Sequence, residues 1–314
     1  MRHIFVINPV AGKKNVTEKI SSELVKLKEI EEYKDLNYEI YNTKCVGDAV
    51  KFVRETCENN SSGEELRFYA CGGDGTINEV VNGLYGYDLA SFSCIPCGSG
   101  NDFVKAFKDV DFKNIKNLID GSEKTIDLIK ANDQICINIA NIGFDAAVAY
   151  NMVKFKRWPL VTGKGAYNLG LVKSLFSDRK HYADIYIDDE KIELTGFLLA
   201  CACNGICCGG SYYCSPKSLV DDGFIDCIAI RHLSLFKFLG LVKYYQNGTY
   251  QEKPEVMKYI KVYKSKKLRI VSLKKDIIYC LDGECYKAKE INIEVLPQAV
   301  KLVLPKQDSD ACEQ

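Results

Sequence analysis

Cys71-Gly72-Gly73-Asp74-Gly75-Thr76-Ile77-Asn78-Glu79 is the stretch that decides how this chain is read. It follows Leu66–Cys71, a short, mainly apolar run that predicts a buried strand, and it precedes an apolar, helix-compatible run. Glycines let the backbone turn sharply and approach a ligand closely. A glycine turn that feeds a helix offers amide N–H groups and the positive dipole end to phosphate. Thr76 and Glu79 fit a capping box with Thr76 as N-cap, predicting a helix over Thr76–Leu84. Asp74 is out of place beside phosphate alone, because a carboxylate there needs a metal ion or a donor hydroxyl between them.

Working outward, His3–Ile7 predicts a second buried strand, and Val16, Ile20, Leu24 and Leu27 recur at helical spacing. Asp48–Cys57 predicts a helix, Ala90–Ile95 a strand and Asn101–Phe107 a short helix. This alternation implies βαβ units and a doubly wound α/β domain. Two more polar, glycine-bearing loops follow strands, Asn8-Pro9-Val10-Ala11-Gly12-Lys13 and Pro96-Cys97-Gly98-Ser99-Gly100-Asn101-Asp102. Either one alone reads as an ordinary turn or cap. Together with the Gly72 loop they share the carboxyl edge of one parallel sheet, where open α/β folds bind ligands. Neither GxGxxG nor GxxxxGK[ST] occurs at these loops, which disfavours a Rossmann dehydrogenase and a P-loop NTPase.

From about Thr125 strand-like runs dominate: Thr125–Lys130, Ile135–Ile142, Tyr182–Ile187, Ile192–Cys203, Phe224–Ile230, Val256–Val262, Lys267–Leu273 and Ile291–Leu296, with a last one at Val300–Leu304. Helical stretches at Asp145–Lys156, Lys164–Phe176 and Leu235–Gln246 interrupt them, and Asp188-Asp189-Glu190 suits a hairpin turn. A mostly antiparallel β-sandwich is expected. Asp221-Asp222-Gly223 reads as a turn or as the carboxylate part of a hard-cation site. Asp282-Gly283-Glu284 reads as a hairpin turn or as two carboxylates able to accept a substrate proton.

With 314 residues, 47% hydrophobic and 27% charged, the chain should build packed cores in two domains. Lys+Arg and Asp+Glu are both 42, so the basic excess of a general nucleic-acid binder is missing. Met1–Pro9 is too short and polar for a secretory leader, and the best apolar run, Phe197–Ala202, is too short to cross a membrane. A cytoplasmic protein with reduced thiols is expected from the odd number of cysteines, 15. Cys201, Cys203, Cys207, Cys208 and Cys214 lack paired CxxC clips and read as small buried side chains rather than zinc ligands. Lys154-Phe155-Lys156-Arg157-Trp158-Pro159-Leu160 mixes cations with bulky apolar groups, as a membrane interface would, or as a solvated helix end beside a buried tryptophan.

Taken in order, Asn8-Pro9 with Gly12, Gly72–Thr76, Gly98–Asp102, Asn204-Gly205 with Gly209-Gly210, Pro216 with Asp221-Asp222-Gly223, and Asp282–Glu284 span nearly the whole chain. The set resembles the soluble bacterial diacylglycerol kinase family of lipid kinases, related to the sphingosine and ceramide kinases. The resemblance implies an NAD kinase/diacylglycerol kinase-like fold, with an α/β nucleotide-binding domain over 1–123, a β-sandwich lipid domain over 124–297, and residues 298–314 returning to the first. It implies ATP and Mg2+ as cofactors. Asn8, Pro9, Val10, Ala11, Gly12, Lys13, Gly72, Gly73, Asp74, Gly75, Thr76, Ile77 and Asn78 would cradle the phosphates. Thr43 and Ser99 would supply further hydroxyls, Ser99 standing where the family usually has threonine. Magnesium near Asp74 would bridge phosphate oxygens. Glu284 is implied as proton acceptor, with Asp282 able to share or take that role. Asp222, with backbone groups of Leu219 and Phe224, corresponds to a structural magnesium site distinct from the ion carried by ATP.

The implied reaction moves the γ-phosphate of Mg-ATP to the hydroxyl of a membrane lipid, with diacylglycerol leading and phosphatidic acid as product, in phospholipid biosynthesis. Sphingoid bases, ceramide and phosphatidylglycerol stay open as acceptors. Peripheral membrane contact and no nucleic-acid partner are expected, and an exposed sheet edge would allow a homodimer. An NAD kinase is the first rival because it shares the glycine–aspartate loop; the Gly98–Asp102 and Asp282–Glu284 elements favour the lipid kinase. A catalytically silent nucleotide- or lipid-binding regulator ranks lower, since every expected acidic residue is present.

Overall fold

The computed structural model describes every residue except Lys13, Lys14, Arg157, 159–162, Asp178, Thr195 and 308–314. Two compact units separate, Met1–Ile126 with Gln298–Gln314, and Asp127–Pro297.

In the first unit β1 (Arg2–Ile7), β2 (Tyr38–Asn42), β3 (Leu66–Gly72) and β4 (Ala90–Pro96) lie parallel in the order β2-β1-β3-β4. They alternate with α1 (Val16–Lys28), α2 (Asp48–Glu58) and α3 (Asp74–Leu84). All seven residues of β3 are buried, as an apolar strand covered on both faces must be. α1 buries Ile20, Leu24 and Leu27, one apolar stripe of an amphipathic helix. β2 has no apolar run to announce it, because it is an edge strand whose residues are half-buried or exposed. A 3-10 turn, Phe103–Ala106, stands where a short helix over Asn101–Phe107 was expected. α4 (Ile115–Ile119), capped by the Asn114 side chain, leads into β5 (Ser122–Ala131).

The capping box expected at Thr76 does not form. α3 begins at Asp74 behind Gly73, and no side chain caps it. Glu79 instead accepts from the amides of Gly47 (2.9 Å) and Ala49 (3.2 Å), and so caps the start of α2. A glycine pair can enter the helix directly, which frees the glutamate to serve its neighbour.

The second unit adds β6 (Gln134–Cys136), β7 (Ile139–Gly143), α5 (Phe144–Lys156), α6 (Gly163–Ser177), β8 (Ala183–Ile187), β9 (Glu190–Lys191), β10 (Phe197–Cys203), β11 (Ile225–Arg231), α7 (Leu235–Gln246), α8 (Pro254–Met257), β12 (Ile260–Ser265), β13 (Lys267–Ser272), β14 (Ile277–Leu281), β15 (Glu284–Ala288) and β16 (Glu290–Leu304). One sheet runs β12-β11-β10-β7-β14-β15, antiparallel throughout. Opposite it, Glu290–Glu294 of β16 pairs with β13, β13 with β8, and β8 with β9, again antiparallel. Beyond Gln298, at φ 48°, the end of β16 pairs in parallel with β4 at Lys301 and Leu302.

β10 explains why its sequence is apolar without alternation. Ala200 and Ala202 pack into the core between the two sheets, while Leu199, Cys201 and Cys203 pack into a second core with Phe144, Phe238 and Tyr245 from α5 and α7. Three expected strands need correction. Ile135–Ile142 is broken after Cys136. Of Ile192–Cys203 only Phe197–Cys203 is strand. Val256–Val262 splits because Pro254 starts the helical turn α8, and β12 begins at Ile260.

Candidate functional site

The three glycine loops of the first unit leave the carboxyl ends of adjacent parallel strands and interlock through bare backbone. A Cβ on Gly98 would lie 2.5 Å from Gly73 Cα, and one on Gly12 would lie 2.1 Å from the Cys97 carbonyl oxygen. Gly12 also has φ 69°, a conformation that favours glycine. Backbone bonds tie the loops further: the amides of Cys97 (2.8 Å) and Gly98 (3.2 Å) donate to the Gly72 carbonyl, and the Asn8 amide donates to Cys71 (3.0 Å). The Thr43 amide donates to Ile7 (2.8 Å), which brings the end of β2 to the same edge.

Asp74 is the side chain that ties two loops together. Its Oδ1 accepts from the amides of Asp102 (2.6 Å) and Phe103 (3.2 Å), and a Cβ on Gly100 would meet its Oδ2 at 2.8 Å. Asn8 Nδ2 donates to Thr76 Oγ1 (3.5 Å), and Asn8 Oδ1 accepts from the Val10 amide (3.2 Å). Thr76 and Ile77 are buried, and their amides both bond to the Gly73 carbonyl. Pro9, Val10, Gly12, Gly75 and Ser99 are exposed, Ala11, Thr43, Gly73 and Asn78 half-buried, and Gly72 buried. Lys13 lies outside the described residues. Lys105, not singled out from sequence, pairs with Asp102 at 2.7 Å.

In the second unit, Asp282 (φ 45°) and Gly283 (φ 104°) form the two-residue turn between β14 and β15. The Asp282 carboxylate faces the break between β6 and β7. Its Oδ2 accepts from the Ile137 amide (2.8 Å), its Oδ1 from Ile139 (3.1 Å) and the Cys136 thiol (3.1 Å), and Asn138 reaches both oxygens (3.2 and 3.4 Å). Asp282 is therefore a clamp on backbone donors. Glu284, at the start of β15, is exposed, and its carboxylate makes no hydrogen bond or ion pair among the described residues. Of the two carboxylates it is the one turned to solvent and available to a proton.

Asp222 Oδ1 accepts from the Phe224 amide (3.1 Å), and its Oδ2 is paired with the Lys264 ammonium. Leu219 and Phe224 are exposed. One carboxylate with backbone carbonyls and waters is a donor set that suits magnesium, and Lys264 is the competing cation. Among the described residues no group of three or more His, Cys, Asp or Glu side chains could hold a metal ion. The same loop is pinned by the buried Asp127, whose Oδ2 accepts from the Gly223 amide at 2.6 Å. Asn204, also fully buried, donates to the carbonyls of Asp127 (2.9 Å) and Ile137 (2.8 Å). Sequence reading could not assign Asp127 a role, because one aspartate inside an apolar strand carries no spacing signal. Burial pushes the Asp145 carboxyl, in the first turn of α5, up to about 7.

Residues 2–131 match the diacylglycerol kinase catalytic domain, and residues 138–304 match the YegS C-terminal NAD kinase beta sandwich-like domain. The chain is 29% identical over 266 residues to a protein of Shewanella frigidimarina named as a probable lipid kinase YegS-like, covering 82% of this chain and 81% of that one. It is 27% identical over 313 residues to a diacylglycerol kinase of Bacillus subtilis, covering 97% of each. Among solved structures, a diacylglycerol kinase from Bacillus anthracis superposes with a TM-score of 0.68 at 20% identity, over 96% of both chains. An NAD kinase from Archaeoglobus fulgidus in complex with ATP superposes with a TM-score of 0.51 at 14% identity, over 98% of this chain and 94% of the other. At these identities the two structures speak for the fold.

Proposed function

The chain belongs to the diacylglycerol kinase family and is a lipid kinase, and from that premise we propose that it transfers the γ-phosphate of ATP to a membrane lipid hydroxyl, diacylglycerol first among the acceptors. The observation that carries this reading is the interlock of the Asn8–Gly12, Gly72–Asp74 and Gly98–Asn101 loops at the carboxyl edge of one parallel sheet. Phosphoryl transfer asks a protein mainly to position phosphates and neutralise their charge. Closely packed glycine backbone suits a polyphosphate, and the start of α3 directs its dipole the same way. Asp74 keeps the Gly98 and Gly72 loops in register. Magnesium, when bound with the nucleotide, supplies charge neutralisation on the phosphate oxygens. Asn8 and Thr76 brace the first two loops, and Asp222 with the Leu219 and Phe224 carbonyls would hold a second, structural ion.

Glu284 accepts the proton of the attacking hydroxyl. Asp282 acts through the backbone, fixing the turn from which Glu284 projects, and is a positioning residue. The apolar outer face of α6 supports a lipid acceptor and contact with a membrane surface. Leu169, Val172 and Phe176 are 39%, 52% and 79% exposed and fall on one helical face. Tyr167, Leu171 and Leu175 pack inward from the opposite face. Trp158 is 57% exposed, against the alternative of a buried tryptophan, while Arg157, Pro159 and Leu160 lie outside the described residues. A cytoplasmic enzyme that touches the membrane peripherally fits this arrangement.

The test is purified protein with labelled ATP and a panel of diacylglycerol, sphingoid base, ceramide, phosphatidylglycerol and NAD. Labelled phosphatidic acid is the expected product. Phosphorylation of NAD with no lipid labelled would refute the reading.

A further inference from the structure

We propose that Cys280 and Cys285 are a reversible thiol–disulfide pair, a modification site for a small disulfide oxidant such as oxidised glutathione, built across the hairpin that presents Glu284. Its effect on catalysis rests on the reading of Glu284 above; the existence of the pair does not.

Leu281 opposes Glu284 and Cys280 opposes Cys285 across the two-residue Asp282-Gly283 turn. In such a hairpin the residues that flank the turn exchange both backbone bonds, and the next pair outward does not. The neighbouring strand agrees, because the Asp282 amide points to Ile139 on the β7 side and alternation then turns Cys280 away from β15 in its hydrogen bonding. Cys280–Cys285 is therefore a non-hydrogen-bonded pair. Such pairs have Cα atoms about 4.5 Å apart, inside the roughly 4.4–6.8 Å range a disulfide accepts. Their Cβ atoms start about 4.5–5 Å apart and must close to about 3.8 Å. The bridge thus forms with a Cβ–Cβ closure of about 0.7–1.2 Å.

Access and reactivity are divided between the partners. Cys280 is buried at 4% exposure, whereas Cys285 is half-buried, with long sulfur contacts to the carbonyls of Ala146 (3.9 Å) and Gly283 (4.0 Å). The mutual interaction of the two thiols holds Cys285 below its usual range and Cys280 above it. Cys285 is accordingly the attacking thiolate. Its sulfur displaces one glutathione thiolate from oxidised glutathione and forms a mixed disulfide. The Cys280 sulfur then attacks the Cys285 sulfur, releasing the second glutathione as its proton leaves. Two protein thiols have lost two electrons and two protons, and one glutathione disulfide has become two thiols.

Glu284 is covalently next to Cys285, so closing the bridge tightens and twists the strand pair at the base. Displacements near 1 Å in a catalytic constellation cost up to about 10²-fold in rate. Oxidation should lower lipid phosphorylation about 10- to 100-fold, and dithiothreitol should restore it.

The pair can be read directly despite 15 cysteines, because tryptic cleavage after Lys275 and Lys287 releases Asp276–Lys287 with Cys280 and Cys285 as its only thiols. The intact folded protein is treated with excess oxidised glutathione, blocked with N-ethylmaleimide and digested. The expected peptide is unalkylated and lighter by two hydrogen atoms than its reduced form. Cys280→Ser and Cys285→Ser should prevent that product, keep basal turnover and make turnover insensitive to the oxidant. A peptide that stays fully alkylated in wild type overturns the pair. A bridged peptide with unchanged turnover, or equal inactivation of both serine variants, overturns its control of Glu284. If reduced wild type phosphorylates no lipid, the kinase reading fails while the mass measurement still decides the disulfide.

Discussion

Asp282→Asn and Glu284→Gln each replace one carboxylate by its amide on either side of Gly283, and the two should fail in opposite ways. The Asp282 carboxylate holds three amides and one thiol around the β6–β7 break. Asparagine keeps a single oxygen. The better placement is at Oδ1, which serves Cys136, Asn138 and Ile139, leaving an NH2 group facing the Ile137 amide that now bonds at 2.8 Å. One charge-assisted bond is lost and one largely buried donor is orphaned, together about 2–4 kcal/mol. For a unit the size of Asp127–Pro297 each kcal/mol moves Tm by about 2–4 °C, so a fall of about 5–15 °C is expected. The Glu284 carboxylate is exposed and has no partner among the described residues, so Glu284→Gln should leave Tm within about 2 °C of wild type. Turnover should nevertheless drop about 10²- to 10⁴-fold, as for loss of a positioned base. Scanning calorimetry and labelled-ATP kinetics on the same preparations separate the two effects. Near wild-type turnover in Glu284→Gln, or an unchanged Tm in Asp282→Asn, would refute the assignment of base and clamp.

Gly98→Ala should raise the nucleotide KM about 10-fold or more, because its Cβ would sit 2.5 Å from Gly73 Cα and must push two loops apart; an unchanged ATP titration would show that the interlock does not shape the nucleotide site. Lys264→Met should enlarge the rise in Tm caused by magnesium, since it removes the ammonium that competes at Asp222, and adding Asp222→Asn should abolish that rise; magnesium shifts that ignore both changes would remove the ion from this loop. With its carboxyl raised from 3.8 to about 7, Asp145 binds its proton more tightly folded than unfolded. Its contribution is complete below pH 3.8 and is lost as pH rises through about 7. Wild-type Tm should therefore fall from about pH 4 to about pH 7 and level off above, and Asp145→Asn should flatten that slope; identical slopes would refute the raised carboxyl.

Much of the architecture is legible because it depends on short-range pattern. The apolar runs at His3–Ile7 and Leu66–Cys71 are strands because nothing else buries such residues within so short a length. The glycine loops after them read as loops, and Asp282-Gly283 reads as a turn, because backbone preference is local. Misreadings arose where a side chain serves a distant segment. Glu79 has the spacing to cap its own helix and caps α2 instead. Ile135–Ile142 looks like one strand, but the backbone bends to deliver its amides to Asp282, a residue far along the chain.

The residues themselves thus determined the βαβ alternation, the antiparallel sandwich and the set of candidate acids, since periodicity, turn chemistry and residue type are written along the chain. Tertiary structure alone decided how the acids divide their work. Asp74, Asp282 and Glu284 look equivalent as letters, yet the first joins two loops, the second is consumed by backbone donors, and the third is left to solvent. The physical reason is that what a carboxylate can do depends on which donors reach its oxygens, and those donors come from segments that only folding brings near.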